Sequence, residues 1–107
     1  MVRFGPSGFC EEFSVSHKST EEMPAWLEEH GLDAYEYAFN KGVRINDEKA
    51  ISIAKAFEGK NKQLSVHGPY YINLANPDEE MAFKSKMYII DSLTKMRLLG
   101  AKYLVYH

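Results

Sequence analysis

Short runs of apolar, strand-forming residues alternate with stretches of helical periodicity along the whole chain, and no other feature limits the possible folds as strongly. The runs lie near residues 2–5, 34–39, 63–66 and 102–106. Their starts recur roughly every 30 to 40 residues, the length of a strand plus a crossover helix. Helices long enough to cross back over a sheet make its strands parallel, and such crossovers are right-handed. The expected order is therefore βαβαβαβ, an α/β fold built on a parallel sheet.

The helix boundaries carry local signals. Ser19-Thr20-Glu21-Glu22 fits a capping box, and Pro24 places the regular helix a few residues later. Ala25, Trp26 and Leu27 give this helix its apolar content, and Gly31 after His30 reads as its stop. Asn46 caps the second helix, with Asp47 and Glu48 in its first turn. Ala50, Ile53, Ala54 and Phe57 fall on one face of it, and Gly59 closes it. Asn76 as cap and Pro77 at the first helical position open the third helix. It is expected to run to about Leu99, with Gly100 as its stop and Met87, Ile90, Leu93 and Leu98 as its buried stripe. Residues 6–18 read as a long loop rich in Gly, Ser and Phe. No linker or low-complexity segment interrupts the pattern, so residues 1–107 are expected to form a single domain.

Composition narrows the function classes. The 107 residues are 45% hydrophobic, enough for one small core. A net charge of −2 with 26% charged residues gives no bulk attraction to nucleic acid. The one cysteine, Cys10, excludes an internal disulfide and fits a reducing compartment; it reads as a small, partly buried residue. No run approaches the roughly 18 apolar residues of a membrane helix. Residues 1–6 lack the apolar segment of a signal peptide, and the cytoplasm is the expected location.

Two histidines end strand-like runs. His67 follows Leu64-Ser65-Val66, and His107 follows Tyr103-Leu104-Val105-Tyr106. In parallel α/β barrels the carboxyl ends of the strands carry the chemistry. Neutral imidazole is the commonest side-chain metal ligand. Two histidines at neighbouring strand ends therefore point to part of a metal site. His67 also opens the motif His67-Gly68-Pro69-Tyr70-Tyr71-Ile72-Asn73-Leu74, whose paired aromatics suit stacking on bases. Glu36, in the middle of the second run, is expected to have a structural role. His17 reads as a solvated loop histidine, and His30 as one that meets its helix's C-terminal dipole.

With these motifs the chain resembles the N-terminal portion of the endonuclease IV family (AP endonuclease family 2), xylose-isomerase-like TIM barrels that cut DNA at abasic sites. The resemblance spans nearly all the residues in element order. It is most specific at His67 through Leu74 and at Leu104-Val105-Tyr106-His107. Phe4-Gly5-Pro6-Ser7-Gly8 fits a subgroup of the family; its best-known members have a histidine after the first strand that is absent here. The resemblance implies zinc ligands at His67 and His107, with up to three Zn2+ in an intact enzyme. It implies that Tyr70 enters the DNA helix near the lesion and that Tyr71 stands where an apolar wedge is common. Arg44, beside Lys41, is the nearest match to an arginine that probes DNA. The implied activity is zinc-dependent hydrolysis of the phosphodiester 5′ to an abasic site, with damaged double-stranded DNA as partner. It assigns no catalytic residue within the chain.

A full barrel needs eight βα units and about 250 residues. The chain holds three units and a fourth strand, so the expected fold is an incomplete portion of a TIM (β/α)8 barrel. Two histidines also fall short of a catalytic zinc site, which takes three protein ligands and an open position. The chain alone is thus expected to be inactive. Exposed strand edges and apolar faces favour self-association. Two alternatives stand beside the endonuclease: a divalent-metal sugar or sugar-phosphate isomerase or epimerase on the same barrel, and a half-barrel that serves only as an assembly module.

Overall fold

The computed structural model describes residues 1–107. Three strands form a parallel sheet in the order β1 (Ala34–Ala38), β2 (Gln63–His67) and β3 (Leu104–Val105). Ahead of β1 come α1 (Glu11–Ser16), a 3₁₀ turn (Thr20–Glu22) and α2 (Met23–Glu29), and between the strands lie α3 (Asp47–Phe57) and α4 (Glu79–Leu99). This is the parallel βαβ arrangement that the alternating pattern predicts.

The first expected strand is present only as an irregular edge. Asp33 and Ala34 both donate their backbone N–H to the Phe4 carbonyl, Glu36 donates to Pro6 O and Gly8 donates to Glu36 O. The pairing reduces to one isolated parallel bridge, Ser7 with Glu36. Pro6 has no N–H to give and interrupts any ladder on that segment. Gly5 is required by proximity: a Cβ there would lie 1.4 Å from the Ala34 carbonyl oxygen. The segment therefore pairs at residues 4–8, slightly later than the expected 2–5. The last strand is also shorter than expected. Val66 and Gly68 donate to the Tyr103 and Val105 carbonyls, and regular pairing is limited to Leu104 and Val105.

Side chains alternate across the sheet. Tyr35, Leu64 and Val66 turn to the helices and are buried, while Glu36, Ser65 and His67 lie on the other face and are half-buried. The core joins these residues to Phe13, Met23, Trp26, Leu27, Ala50, Ile53, Phe57 and Leu99. Burying such side chains is the main stabilising term, worth about 1.5–3 kcal/mol for each large one. Residues 11–16, expected as loop, form the short helix α1, which carries Phe13 into the core. His17 is not a free loop residue. Its ring stacks on Phe13, and its Nδ1 lies 3.2 Å from Glu22 Oε1. His30 meets the end of α2 as expected, its Nδ1 hydrogen-bonded to the Trp26 carbonyl at 2.8 Å.

Two expectations for α4 need correction. Its cap is Asp78, whose carboxylate accepts the Glu80 and Met81 N–H groups, so the helix starts two residues beyond the expected Asn76–Pro77 start. Asn76 instead turns the chain by accepting from Asp78 N. The buried face is Ser85, Ser92 and Leu99. Met87, Ile90 and Leu93 are exposed, and only Leu98 of the expected stripe packs against the core. Apolar residues surround this helix, so spacing alone does not single out the side that meets α3. The small serines let it approach closely, and both hydroxyls are satisfied: Ser92 donates to Tyr88 O, and Ser85 accepts from Asn73 N.

A polar knot ties the start of α3 to the 3₁₀ turn. Lys49 Nζ donates to Glu21 Oε1 at 2.6 Å and to Ser19 Oγ at 3.0 Å, and Ser52 donates to Glu21 Oε2 at 3.0 Å. Burial works against the Glu21 charge, but Lys49 and the two hydroxyls outweigh it and hold its carboxyl at about 2, below the usual 4.5. The folded state therefore gains stability from ionised Glu21 above pH 4.5 and loses it as pH falls toward 2. Acid titration followed by circular dichroism is expected to show this loss, and Glu21→Gln is expected to flatten that part of the curve.

Candidate functional site

The register aligns the carboxyl ends of the strands. Ala38 pairs with His67, and His67 pairs with Val105. His107 lies two residues past Val105, on the same side of its strand. The His67 and His107 rings are consequently neighbours, with centroids 5.4 Å apart. The sequence placed these two together, and the fold does so through the strand register.

The tautomer of His67 follows from its partner. Its Nδ1 lies 2.8 Å from the Gly68 carbonyl oxygen, which can only accept. Nδ1 must therefore carry the proton, leaving the Nε2 lone pair free for a ligand. No His, Cys, Asp or Glu side chains gather in groups of three or more with metal-binding geometry. The fold brings two imidazoles together, fewer than the three protein ligands of a catalytic zinc site. Glu36, on the same face, accepts from Ser7 Oγ at 2.6 Å, which gives it a structural partner.

Behind the pair, the loop from Gly68 to Leu74 is anchored from within. Pro69 and Ile72 are buried, and the Asn73 N–H is held by Ser85 of α4. Tyr70 and Tyr71 are therefore turned outward, 69% and 38% exposed. Tyr70 and Arg44 line a groove of about 550 Å³ together with Phe39, Asn40, Lys41 and Gly42. Arg44 is exposed and makes no ion pair or hydrogen bond within the protein. Tyr71 stands beside the groove, its hydroxyl donating to the Lys41 carbonyl at 3.0 Å. The fold thus gathers Arg44, Tyr70 and Tyr71 on one rim. Sequence inspection missed Tyr88, which packs edge-on against Tyr71 at 4.9 Å; nothing in its helical spacing marks it out.

Parallel strands covered by helices on one face, with a histidine pair near their carboxyl ends, are the architecture of a segment of an α/β barrel. The chain belongs to the xylose isomerase-like TIM barrel family, whose pattern matches residues 24–107. It is similar to a probable endonuclease 4 of Mycoplasmoides gallisepticum, 38% identical over an alignment of 63 residues, with 53% of this chain and 21% of that protein covered. Its fold matches endonuclease IV from Thermus thermophilus, with a TM-score of 0.72, 21% identity, and coverage of 99% of this chain and 40% of that one. It matches D-psicose 3-epimerase, determined in the presence of D-fructose, equally well, with a TM-score of 0.73, 16% identity and coverage of 98% and 37%. The chain therefore spans about a fifth of the curated relative and two fifths or less of each solved barrel. No helix is long and apolar enough to cross a membrane.

Nitrogen NMR of the imidazoles tests the tautomer directly. His67 in the metal-free protein, at a pH where the ring is neutral, is expected to show a protonated Nδ1 and a bare Nε2. The opposite pattern would remove the free ligand position.

Proposed function

We propose that this chain is part of a metal-dependent barrel endonuclease that acts on abasic sites in double-stranded DNA, and that it carries two of the metal ligands and one DNA-contacting rim. The observation that carries this proposal is the histidine pair, 5.4 Å apart at adjacent strand ends, beside an open rim of Arg44, Tyr70 and Tyr71. The relative's name, probable endonuclease 4, supports the same choice.

In this proposal His67 and His107 hold Zn2+ together with donors from the rest of the barrel. Bound zinc would supply activated water and neutralise phosphate charge. Arg44 offers a planar guanidinium to phosphate, and the exposed Tyr70 ring offers a stacking face to a base beside the lesion. Tyr71 shares that rim. A sugar epimerase would instead enclose its aromatics around a small substrate; the choice of DNA rests on the relative's name and on the pairing of Arg44 with the two tyrosines. The same open edges that receive no strand here, with Phe4, Tyr103, Val105 and Tyr106 exposed, favour self-association. Sedimentation is expected to show species larger than a monomer, and a clean monomer at high concentration would count against that part.

The chain alone is expected to leave an abasic duplex uncut, because two ligands do not complete the centre. It is expected to bind that duplex more tightly than an undamaged one, with Tyr70→Ala weakening the preference about tenfold, the size of one stacking contact. Calorimetry is expected to show weak zinc binding that His67→Ala abolishes. Equal affinity for damaged and intact DNA, or tight zinc binding that survives His67→Ala, would overturn the assignment.

A further inference from the structure

Two loops at the carboxyl rim are joined by hydrogen bonds that belong to neither strand ladder. Tyr70 N–H donates to the Asn40 carbonyl at 3.1 Å, and the Tyr71 hydroxyl donates to the Lys41 carbonyl at 3.0 Å. The loop after β1 turns at Asn40, whose φ of 52° is in the left-handed region, a conformation that asparagine tolerates better than most residues. Gly42 N–H then donates back to Phe39 O at 3.0 Å. A Cβ on Gly42 would lie 3.4 Å from Arg44 Nε and 3.5 Å from the Tyr71 hydroxyl, so these two side chains flank the same backbone point.

Tyr71 is itself supported from behind. The Tyr88 ring of α4 meets it at 77°, the edge-to-face arrangement that aromatic quadrupoles favour. Tyr70 packs against it on the other side, with centroids 5.4 Å apart at 74°. Burial, then the neighbouring Tyr88, raises the Tyr71 hydroxyl above its ordinary pKa, against the opposing charge of Arg44. A residue with its hydroxyl committed to one loop and its ring held by a helix is built to fix something else in place.

We propose that Tyr71 is a positioning residue, which pins the 40–44 loop so that Arg44 and Tyr70 meet DNA as one rigid unit, with Tyr88 as its support. The proposal rests on the nucleic-acid function above and adds how its rim is organised. An arginine on a loop already held in place loses less conformational freedom when it meets phosphate, and so binds more tightly. Tyr71 acts through Arg44 in this scheme, and its own contact with DNA is secondary.

Tyr71→Phe tests this, because it keeps the ring and its contact with Tyr88 and removes only the hydroxyl. The first arm needs no ligand. Hydrogen exchange is expected to quicken about fivefold at the Gly42 and Tyr70 amides, the effect of losing one ordinary hydrogen bond, and to stay unchanged at the Val66 amide in the sheet. Tyr88→Ala is expected to act on the same amides. The second arm measures binding to an abasic duplex against salt. Arg44→Ala is expected to reduce the slope of log affinity against log salt by about 1. Tyr71→Phe is expected to reduce it similarly, and the double variant is expected to add little. Unchanged exchange in Tyr71→Phe would overturn the clamp. Faster exchange with an unaltered salt slope would overturn the positioning role. A wild-type chain that binds no DNA would end the nucleic-acid function and the positioning role with it, while the exchange arm would still report whether the clamp exists.

Discussion

The parallel ladder between β1 and β2 is the constraint on which the other features depend. Its register sets Ala38 beside His67 and carries the alignment on to Val105. A slip of one residue would turn Val66 out of the core and His67 into it, since side chains alternate strictly along a strand. Val66 is completely buried and His67 only half-buried, so such a slip would strand an apolar side chain and bury a polar one. The same hydrophobic burial that stabilises the sheet therefore also fixes which face the imidazole occupies. The histidine pair is a product of core packing as much as of local sequence.

Strand ends and loops divide the work at the rim. His67 ends β2, where position is set by the sheet, and His107 follows β3 two residues past its end. Arg44 and the tyrosines sit on connections, which gain order only from added anchors. Those anchors are specific: buried Pro69 and Ile72, the Ser85 hydroxyl on the Asn73 N–H, and the bonds from Tyr70 and Tyr71 to the neighbouring loop. The apolar anchors hold the loop against the core, and the hydrogen bonds give partners to the Asn73 and Tyr70 N–H groups and to the Asn40 and Lys41 carbonyls while the side chains stay exposed. Helix α4 is central here, because Ser85 and Tyr88 on it both brace the loop that follows β2.

The same helix carries apolar residues that nothing in the chain covers. Phe83, Met87, Ile90 and Leu93 are exposed, and the sheet has open edges at Phe4–Gly8 and at β3. A helix apolar on more than one side is built to be packed on more than one side. These surfaces agree with the coverage of the solved barrels, of which the chain matches 40% or less. The chain thus matches a part of each solved barrel and leaves apolar faces and sheet edges uncovered.

Much of this was legible in the residues. Alternating apolar runs and helical periods announced parallel βαβ units, because a chain with that spacing has few other ways to bury its strands. Asn46 capped its helix as expected, since the cap depends on one side chain and one nearby N–H. His67 and His107 stood out because each ends a strand-like run. What residues alone did not reveal was which contacts compete and win. Pro77 and Asn76 had the chemistry of a helix start, yet Asp78 took the cap by accepting two N–H groups. The apolar residues of α4 had no unique face until Ser85 and Ser92 were drawn against the core. Arg44, Tyr70, Tyr71 and Tyr88 come from three separate stretches of chain. Their meeting depends on how two loops and a helix fold back on one another, and local sequence cannot encode a long-range approach of that kind.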